Sequence, residues 1–457
     1  MSSPFTFVNM GFLALFIFRY LRLFVNIVGW LIYKPCPIPA RPSYCASDCT
    51  VIIPTIDPAG ADFLECCFSV LLNKPGHLLI VTVGKTNRHI TKKIASLLKK
   101  TFPETRIKVK TSTVANKRHQ VALGLKYVKT ELVVLVDDHV FWPSQRFLPT
   151  AISPFEDARV GAVGTNKRVR RNVSGWNIQS FFNFLGCVYL ERHNFEIRAT
   201  NALDGGVFVV SGRTSLWRTS ILQDQAFLDG FTHEMFLNGT MGPLNADDDN
   251  FLTRWIVKHG WDIKIQSHED AVIETTLGEY PRFLSQCLRW ARTTWRSNTC
   301  SLFTDGTVWE RQPWCVYAVY LSSFVNFALF YDAALLYTLY YHTTFGHSLA
   351  SLVYMAAFIL STKTVKLLPH FWRHPGDVLF FPGYLLFAYY HSLLKLYALA
   401  TFYETAWSGR NLEAVESSDV PDKIRHHLEP ASSELHALKQ LVAKAAQALI
   451  QPTPIGS

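Results

Sequence analysis

Leu132-Val133-Val134-Leu135-Val136-Asp137-Asp138-His139 is an apolar run that ends abruptly in three residues able to bind protons or metals. A short continuous apolar run of this kind predicts a strand buried on both faces, delivering hard ligands to a sheet edge. Working outward, Val51-Ile52-Ile53-Pro54-Thr55-Ile56-Asp57 reads as a strand and its carboxyl-end turn, Leu79 to Val83 as a second strand and Ile107 to Lys110 as a third. Short β-branched runs alternating with amphipathic stretches predict an α/β domain built on a parallel sheet with crossover helices. Ligands of such sheets gather at the carboxyl ends of the strands, where Asp57 and Asp137-Asp138-His139 stand.

The 457 residues are 49% hydrophobic and 14% aromatic, so part of the chain is expected in lipid. Phe5 to Phe18 and Leu23 to Ile32, separated by Arg19-Tyr20-Leu21-Arg22, predict one uncleaved membrane helix, with a short span plus an interfacial helix as the alternative. Its arginines, three apart on one face, either snorkel or face protein. Lys34-Pro35-Cys36-Pro37-Ile38-Pro39 ends the helix in a stiff linker. Trp314 to Tyr341, Leu349 to Leu368 and Val378 to Tyr403 are each long enough to span, with Pro382-Gly383 a possible break in the last. Asp332, Lys363, Lys366 and Lys395 would be costly against lipid and fit a polar conduit, with snorkelling the alternative for the lysines. The formal charge of +10 is spread along the chain rather than blocked into arms, which disfavours nucleic acid as a partner. Nine cysteines at irregular spacings predict reduced thiols rather than a disulfide or metal framework.

The chemistry is expected between Asn245 and Trp290, which carries Asp247-Asp248-Asp249 and Gln286-Cys287-Leu288-Arg289-Trp290. A sugar hydroxyl is a poor nucleophile until a carboxylate takes its proton, and a diphosphate leaves readily when a cation meets its charge. Asp248-Asp249-Asn250-Phe251-Leu252-Thr253 resembles the Gly-Asp-Asp-Arg-x-Leu-Thr segment of hyaluronan synthases, and QCLRW matches the Gln-x-x-Arg-Trp box of processive family 2 glycosyltransferases. Val210-Ser211-Gly212-Arg213 is similar to the group's Val-Ser-Gly-Pro turn, with Arg213 in place of Pro. Lys395-Leu396-Tyr397-Ala398-Leu399-Ala400-Thr401 and Trp407-Ser408-Gly409-Arg410 resemble the ending of bacterial hyaluronan and chitin-oligosaccharide synthases.

The resemblance, closest to fungal hyaluronan-synthase-like polysaccharide synthases, implies a GT-A-type, Rossmann-like cytosolic glycosyltransferase domain joined to an α-helical transmembrane region. It implies residues 1–34 as a membrane helix, 35–49 as linker, 50–275 as catalytic domain, 276–312 as interfacial helices, 313–403 as membrane helices and 404–457 as a cytosolic tail. Asp249 takes the place of the base, with Asp248 its acidic neighbour; the register with Asp248 as base stays open. Donor contacts fall on Asp57, Lys117, Arg118, Asp137 and Arg289, and acceptor contacts on Ser211, Gly212, Gln286 and Trp290. Asp137 and His139 stand where the family holds a divalent cation, Mn²⁺ or Mg²⁺. After the second strand the chain reads Val83-Gly84-Lys85, without the Asp that commonly holds uridine. Ser174 to Arg198 and Tyr280 to Arg296 are expected as helices lying at the membrane surface. The implied partners are a nucleotide-sugar donor, a growing polysaccharide and the bilayer, in a multi-pass protein of the plasma membrane. A transferase onto a lipid acceptor and a catalytically degenerate membrane scaffold are the alternatives.

Overall fold

The computed structural model describes residues 4–237, 239–343 and 346–405. Trp407-Ser408-Gly409-Arg410 and nearly all of the expected tail lie outside the described residues. Nine strands form one mixed sheet: β1 (Cys49–Pro54), β2 (His77–Val83), β3 (Arg106–Ser112), β4 (Leu132–Val136), β5 (Val140–Phe141), β6 (Val160–Val169), β7 (Thr214–Arg218), β8 (Asp262–Gln266) and β9 (Val272–Thr275). Their order is β3-β2-β1-β4-β7-β6-β9-β5, with β8 beside β6. The first four are parallel, as short strands alternating with amphipathic stretches predict, and β7 runs antiparallel to both its neighbours.

Alternation along each strand builds two cores. Val51, Ile53, Leu78 and Ile80 pack with Phe63, Cys66 and Leu98 of the helices Ala61–Leu71 and Lys85–Thr101 on one face. Ile52, Leu79 and Val81 pack with Val121 and Leu125 of the helix Lys117–Leu125 on the other. Because β7 runs backwards, Thr214 pairs with Val136 at the carboxyl end of β4, and the Asp137 amide donates to the Arg213 carbonyl at 2.9 Å. The Ser211-Gly212-Arg213 turn therefore lies at the same sheet edge as Asp137.

The stretch expected to lie on a membrane surface over 174–198 is instead the helix Ile178–Asp204, with 15 buried residues facing several sides. It packs along the N-terminal helix Pro4–Ile32 and against β6. Its apolar residues are spread around the axis, which suits a helix enclosed by protein. Asn201 fixes it to the sheet: its Nδ2 donates to the carbonyls of Gly205 and Ile263 at 3.2 and 2.8 Å, and its Oδ1 accepts from the Ile265 amide at 3.0 Å.

Among the described residues two helices, Met10–Ile32 and Leu349–Arg373, are long and apolar enough to cross a membrane. The N-terminal helix is continuous, and its arginines face protein: Arg19 donates to Asp332 at 2.8 Å and to Asn326, and Arg22 to the Ser322 hydroxyl at 2.6 Å. Trp314 to Tyr341, expected as one span, is two helices, Pro313–Val325 and Ala328–Tyr341, bent by 89°. Their break at Asn326-Phe327 faces the Arg19 guanidinium, a partner that stabilises a backbone departure a lipid-facing helix could not tolerate. Pro382 lies in the first turn of the helix Phe381–Ala400 and starts that helix rather than breaking it. All nine cysteines are free.

Replacing Asn201 with Ala strands buried backbone groups on two elements. The expected loss is about 3 kcal/mol of stability, read as a lowered Tm of the purified protein against Asn201→Gln and wild type.

Candidate active site

The helix Lys117–Leu125 starts at the carboxyl edge of the sheet because Asn116 caps it, its side chain accepting from the amides of Arg118 and His119. The cap aims Lys117 into the edge. Its Nζ lies 2.8 Å from Asp137 Oδ1 and 2.8 Å from Asp248 Oδ2, and those carboxylates raise its pKa against the opposing effect of burial. Consecutive helical positions point about 100° apart, and Arg118 faces the other way. It is fully buried, donating to the carbonyls of Phe231 and Ala246 at 3.0 and 2.6 Å and pairing with Glu234 at 2.7 Å. Expected as a donor contact, Arg118 instead fastens the segment that leads into the acid triplet. Asp57, likewise expected at the donor, is exposed in a turn where its carbonyl accepts from the Gly60 amide. Neither lines the cavity described below.

The three acids take three different partners. Asp247, at φ 65°, precedes the helix Asp248–Lys258 and is 5% exposed. Its Oδ2 accepts from Arg296 Nη2 and Nε at 2.8 and 3.0 Å, and its Oδ1 accepts from the Thr293 hydroxyl. Arg296 also donates to the carbonyls of Phe402 and Glu404. One buried ion pair thus joins the acid triplet, the helix Arg282–Thr299 and the end of the described chain. Asp248 pairs with Lys117. Among the described residues Asp249 accepts only from N–H groups: the Gly212 amide at 3.3 Å, and the amide and side chain of Asn250 at 2.9 and 3.1 Å. Burial, then the Asp248 charge, hold its pKa above the usual Asp value, with Lys117 opposing. Gly212 suits this crowding, since a Cβ there would lie 3.2 Å from Lys117 Nζ and 3.3 Å from Asp249 Cβ and push those side chains back by a few tenths of an ångström.

Around these groups runs a cavity of about 560 Å³. Its wall includes Asp137, Asp138 and His139 at the sheet edge, Ser211 and Gly212, Asp248 and Asp249, and Gln286, Arg289 and Trp290. It continues between helices past Arg19, Arg22, Lys363, Lys366, His391 and Lys395. Trp290 stacks on Tyr189 with centroids 4.9 Å apart. Asp138 turns inward, accepting from the Thr55 hydroxyl at 2.8 Å, while its Oδ1 lies 3.1 Å from His139 Nδ1. No group of three or more His, Cys, Asp or Glu side chains is arranged to hold a metal among the described residues. Asp137 and His139 offer one carboxylate and one imidazole at the cavity wall. That set fits a dication which takes its remaining ligands from phosphate oxygens and water. Sequence reasoning missed Lys167 and His193. Lys167 lies within β6, 2% exposed, with Nζ 2.6 Å from His193 Nδ1, and His193 lines the cavity. A lysine at a buried position of a strand was the available signal.

Residues 47–293 match the family described as glycosyltransferase like family 2. The chain belongs to glycosyltransferase family 2. It is 41% identical over 407 residues to a type 2 glycosyltransferase of Gibberella zeae, covering 87% of this chain and 75% of that one. It is 38% identical over 413 residues to a type 2 glycosyltransferase of Pyricularia oryzae, covering 90% and 84%. A solved mannosyltransferase from Pyrobaculum calidifontis, in complex with GDP-mannose and Mn²⁺, superposes with a TM-score of 0.52 at 16% identity over 86% of this chain and 98% of that one. This family 2 glycosyltransferase thus has a GT-A-like fold, and its acid triplet stands at the edge where the sheet's carboxyl ends converge.

In this glycosyltransferase, Arg296→Met leaves Asp247 charged, buried and unpaired, at an expected cost of roughly 3–5 kcal/mol. Adding Asp247→Asn removes the uncompensated charge and restores most of the Tm, as thermal unfolding in detergent would show. An equal Tm loss in the single and double variants would refute the pairing.

Proposed function

We propose that this enzyme is a membrane-embedded, inverting, processive glycosyltransferase of the hyaluronan-synthase-like type. It elongates a β-linked extracellular or cell-wall polysaccharide from a nucleotide sugar, with UDP as the nucleotide, at the cytosolic face of the plasma membrane. The observation that carries this reading is the continuity of the cavity from Asp137 through Asp249 and Trp290 to Lys363 and Lys395. A transferase that only passed one sugar to a small acceptor would have no use for a polar passage between apolar helices. Several charges beside that passage have partners: Arg19 and Lys363 with Asp332, Lys366 with Glu196, Lys395 with the Ser323 carbonyl. Such pairing keeps polar walls tolerable among apolar helices, as a sliding glycan requires.

In this reading the acceptor sugar lies against the exposed part of Trp290, with Gln286, Ser211 and Gly212 around it. Asp249 takes the proton of its hydroxyl as that oxygen bonds to the donor's anomeric carbon. The bond from that carbon to the diphosphate breaks on the opposite face, and the configuration inverts. Asp248 is the weaker candidate for base, since Lys117 already occupies one of its oxygens. Arg289, on the cavity wall, meets the diphosphate. A divalent cation, Mn²⁺ or Mg²⁺, would be held by Asp137 and His139 together with diphosphate oxygens and would neutralise the leaving charge. Lys117, already on Asp137, adds a fixed positive charge beside it.

Asp249→Asn is expected to abolish nucleotide release from membrane-reconstituted protein offered UDP-glucose, UDP-GlcNAc, UDP-glucuronate or GDP-mannose, by about 10²-fold or more. Because the same change removes a buried like-charge repulsion, it should raise or preserve Tm. Release that survives in Asp249→Asn would eliminate Asp249 as base. A polymeric product degraded by a linkage-specific hydrolase supports processivity, and a lipid-sized product defeats it. The base works only as the carboxylate, so activity should fall as pH drops through a pKa lying above the ordinary Asp value. A pH profile flat down to the ordinary Asp range would contradict the assignment.

A further inference from the structure

Arg213 occupies the turn before β7, at the position where the resembling group has Pro, and it lines the cavity. Its guanidinium lies over the face of Trp290, 5.8 Å from the ring centroid. Its Nε is buried without a hydrogen-bond partner, and its guanidinium pairs with no carboxylate among the described residues. Several cations of the same cavity sit on carboxylates, Lys117 on Asp137 and Asp248, Lys363 on Asp332 and Lys366 on Glu196. Arg213 has no carboxylate at salt-bridge distance among the described residues, and Lys167 lies near enough to feel its charge. The buried Lys167 ammonium lies against His193 Nδ1, so the His193 ring presents its other nitrogen as a donor, and that ring is packed edge-on against Phe208 with centroids 4.9 Å apart. Burial, followed by the Arg213 charge, lowers the Lys167 pKa to about 7, and Asp249 is the carboxylate that opposes this. The Arg213 guanidinium and the His193 ring both line the cavity with Trp290, and the charges of Asp137 and Asp249 only partly offset the burial of that guanidinium.

We propose that Arg213, backed by the Lys167–His193 pair, recognises a carboxylate or phosphate carried by the sugar presented to Asp249, so that the acceptor is an acidic glycan. This rests on the glycosyltransferase reading of the site and names the chemistry of its acceptor. A guanidinium binds either group through two parallel N–H bonds, and its geometry over Trp290 places that fork beside a stacked sugar ring. Lysine at the same position would keep the charge and lose the fork.

The test is equilibrium binding to the full-length reconstituted protein by calorimetry, with methyl β-glucoside, methyl β-glucuronide and methyl β-glucoside 6-phosphate as probes. Nucleotide release with the donor panel is measured in parallel. One of the two acidic probes should bind roughly tenfold or more tightly than the neutral one, and which one does so distinguishes carboxylate from phosphate. Arg213→Gln should erase that preference and Arg213→Lys should restore part of it. The loss should fall on acceptor affinity, not on the KM for the donor. Equal binding of all three probes, binding of none, or a preference that survives Arg213→Gln would overturn the proposal. So would a change confined to donor KM, which would assign the guanidinium to the diphosphate. Absence of nucleotide release with every donor would count against the transferase reading itself, whatever the probes do.

Discussion

The site depends on a single ammonium group. Lys117 Nζ stands 2.8 Å from both Asp137 and Asp248, two carboxylates delivered by different parts of the chain. Asp137 arrives at the end of a buried parallel strand, Asp248 at the first turn of a helix more than a hundred residues later. Without a cation between them, these acids, with Asp138, Asp247 and Asp249 close by, would repel one another in a partly desolvated space. Asn116 makes the arrangement possible by capping the helix whose first residue is Lys117. Gly212 makes it tight enough, because its missing side chain lets the Lys117 and Asp249 side chains crowd the same turn.

Lys117 also separates the roles of two adjacent acids that the sequence leaves interchangeable. Asp248 is neutralised by the ammonium and Asp247 by Arg296. Asp249 receives only N–H donors and is left with a raised affinity for a proton. The member of a carboxylate cluster that lacks a cation is the one suited to accept a proton in the reaction. Asp247 does the structural work instead. Its pairing with Arg296 fixes the helix bearing Gln286, Arg289 and Trp290 to the sheet edge, so those three side chains keep register with the acids.

The centre of the sheet was legible in the sequence because β1, β2 and β4 are buried on both faces, and unbroken apolar runs such as Leu132 to Val136 have few other uses. The convergence of Asp137, Asp249 and the QxxRW side chains on one cavity was legible because motif and spacing coincide. Other features depend on direction, which composition does not carry. Lys117 and Arg118 look alike in sequence, yet one residue of helical rotation sends the first into the cavity and the second into the core. The helix Ile178–Asp204 has the composition of an interfacial helix, but partners on several sides enclose it. The bend at Asn326 had no local breaker of the Pro or Gly kind to announce it, because the group that stabilises it, Arg19, lies on the N-terminal helix.

That long-range pairing has a consequence for how catalysis and passage can be combined. Arg19 reaches Asp332 and Asn326 on the bent pair of helices, and Asp332 in turn reaches Lys363 on the next. Three segments far apart in sequence are thereby joined around the cavity by hydrogen bonds that apolar packing could not specify in direction. The same cavity passes Asp249 and Trp290 without a wall between them and these charges. In the proposed processive reading, a product leaving Asp249 would meet a polar surface already ordered by protein partners, and its hydroxyls would exchange one set of hydrogen bonds for another as it moved. A chain lined only by Leu and Phe at this point would stop a hydrated glycan at the first span, and one lined by unpaired charges would hold it there.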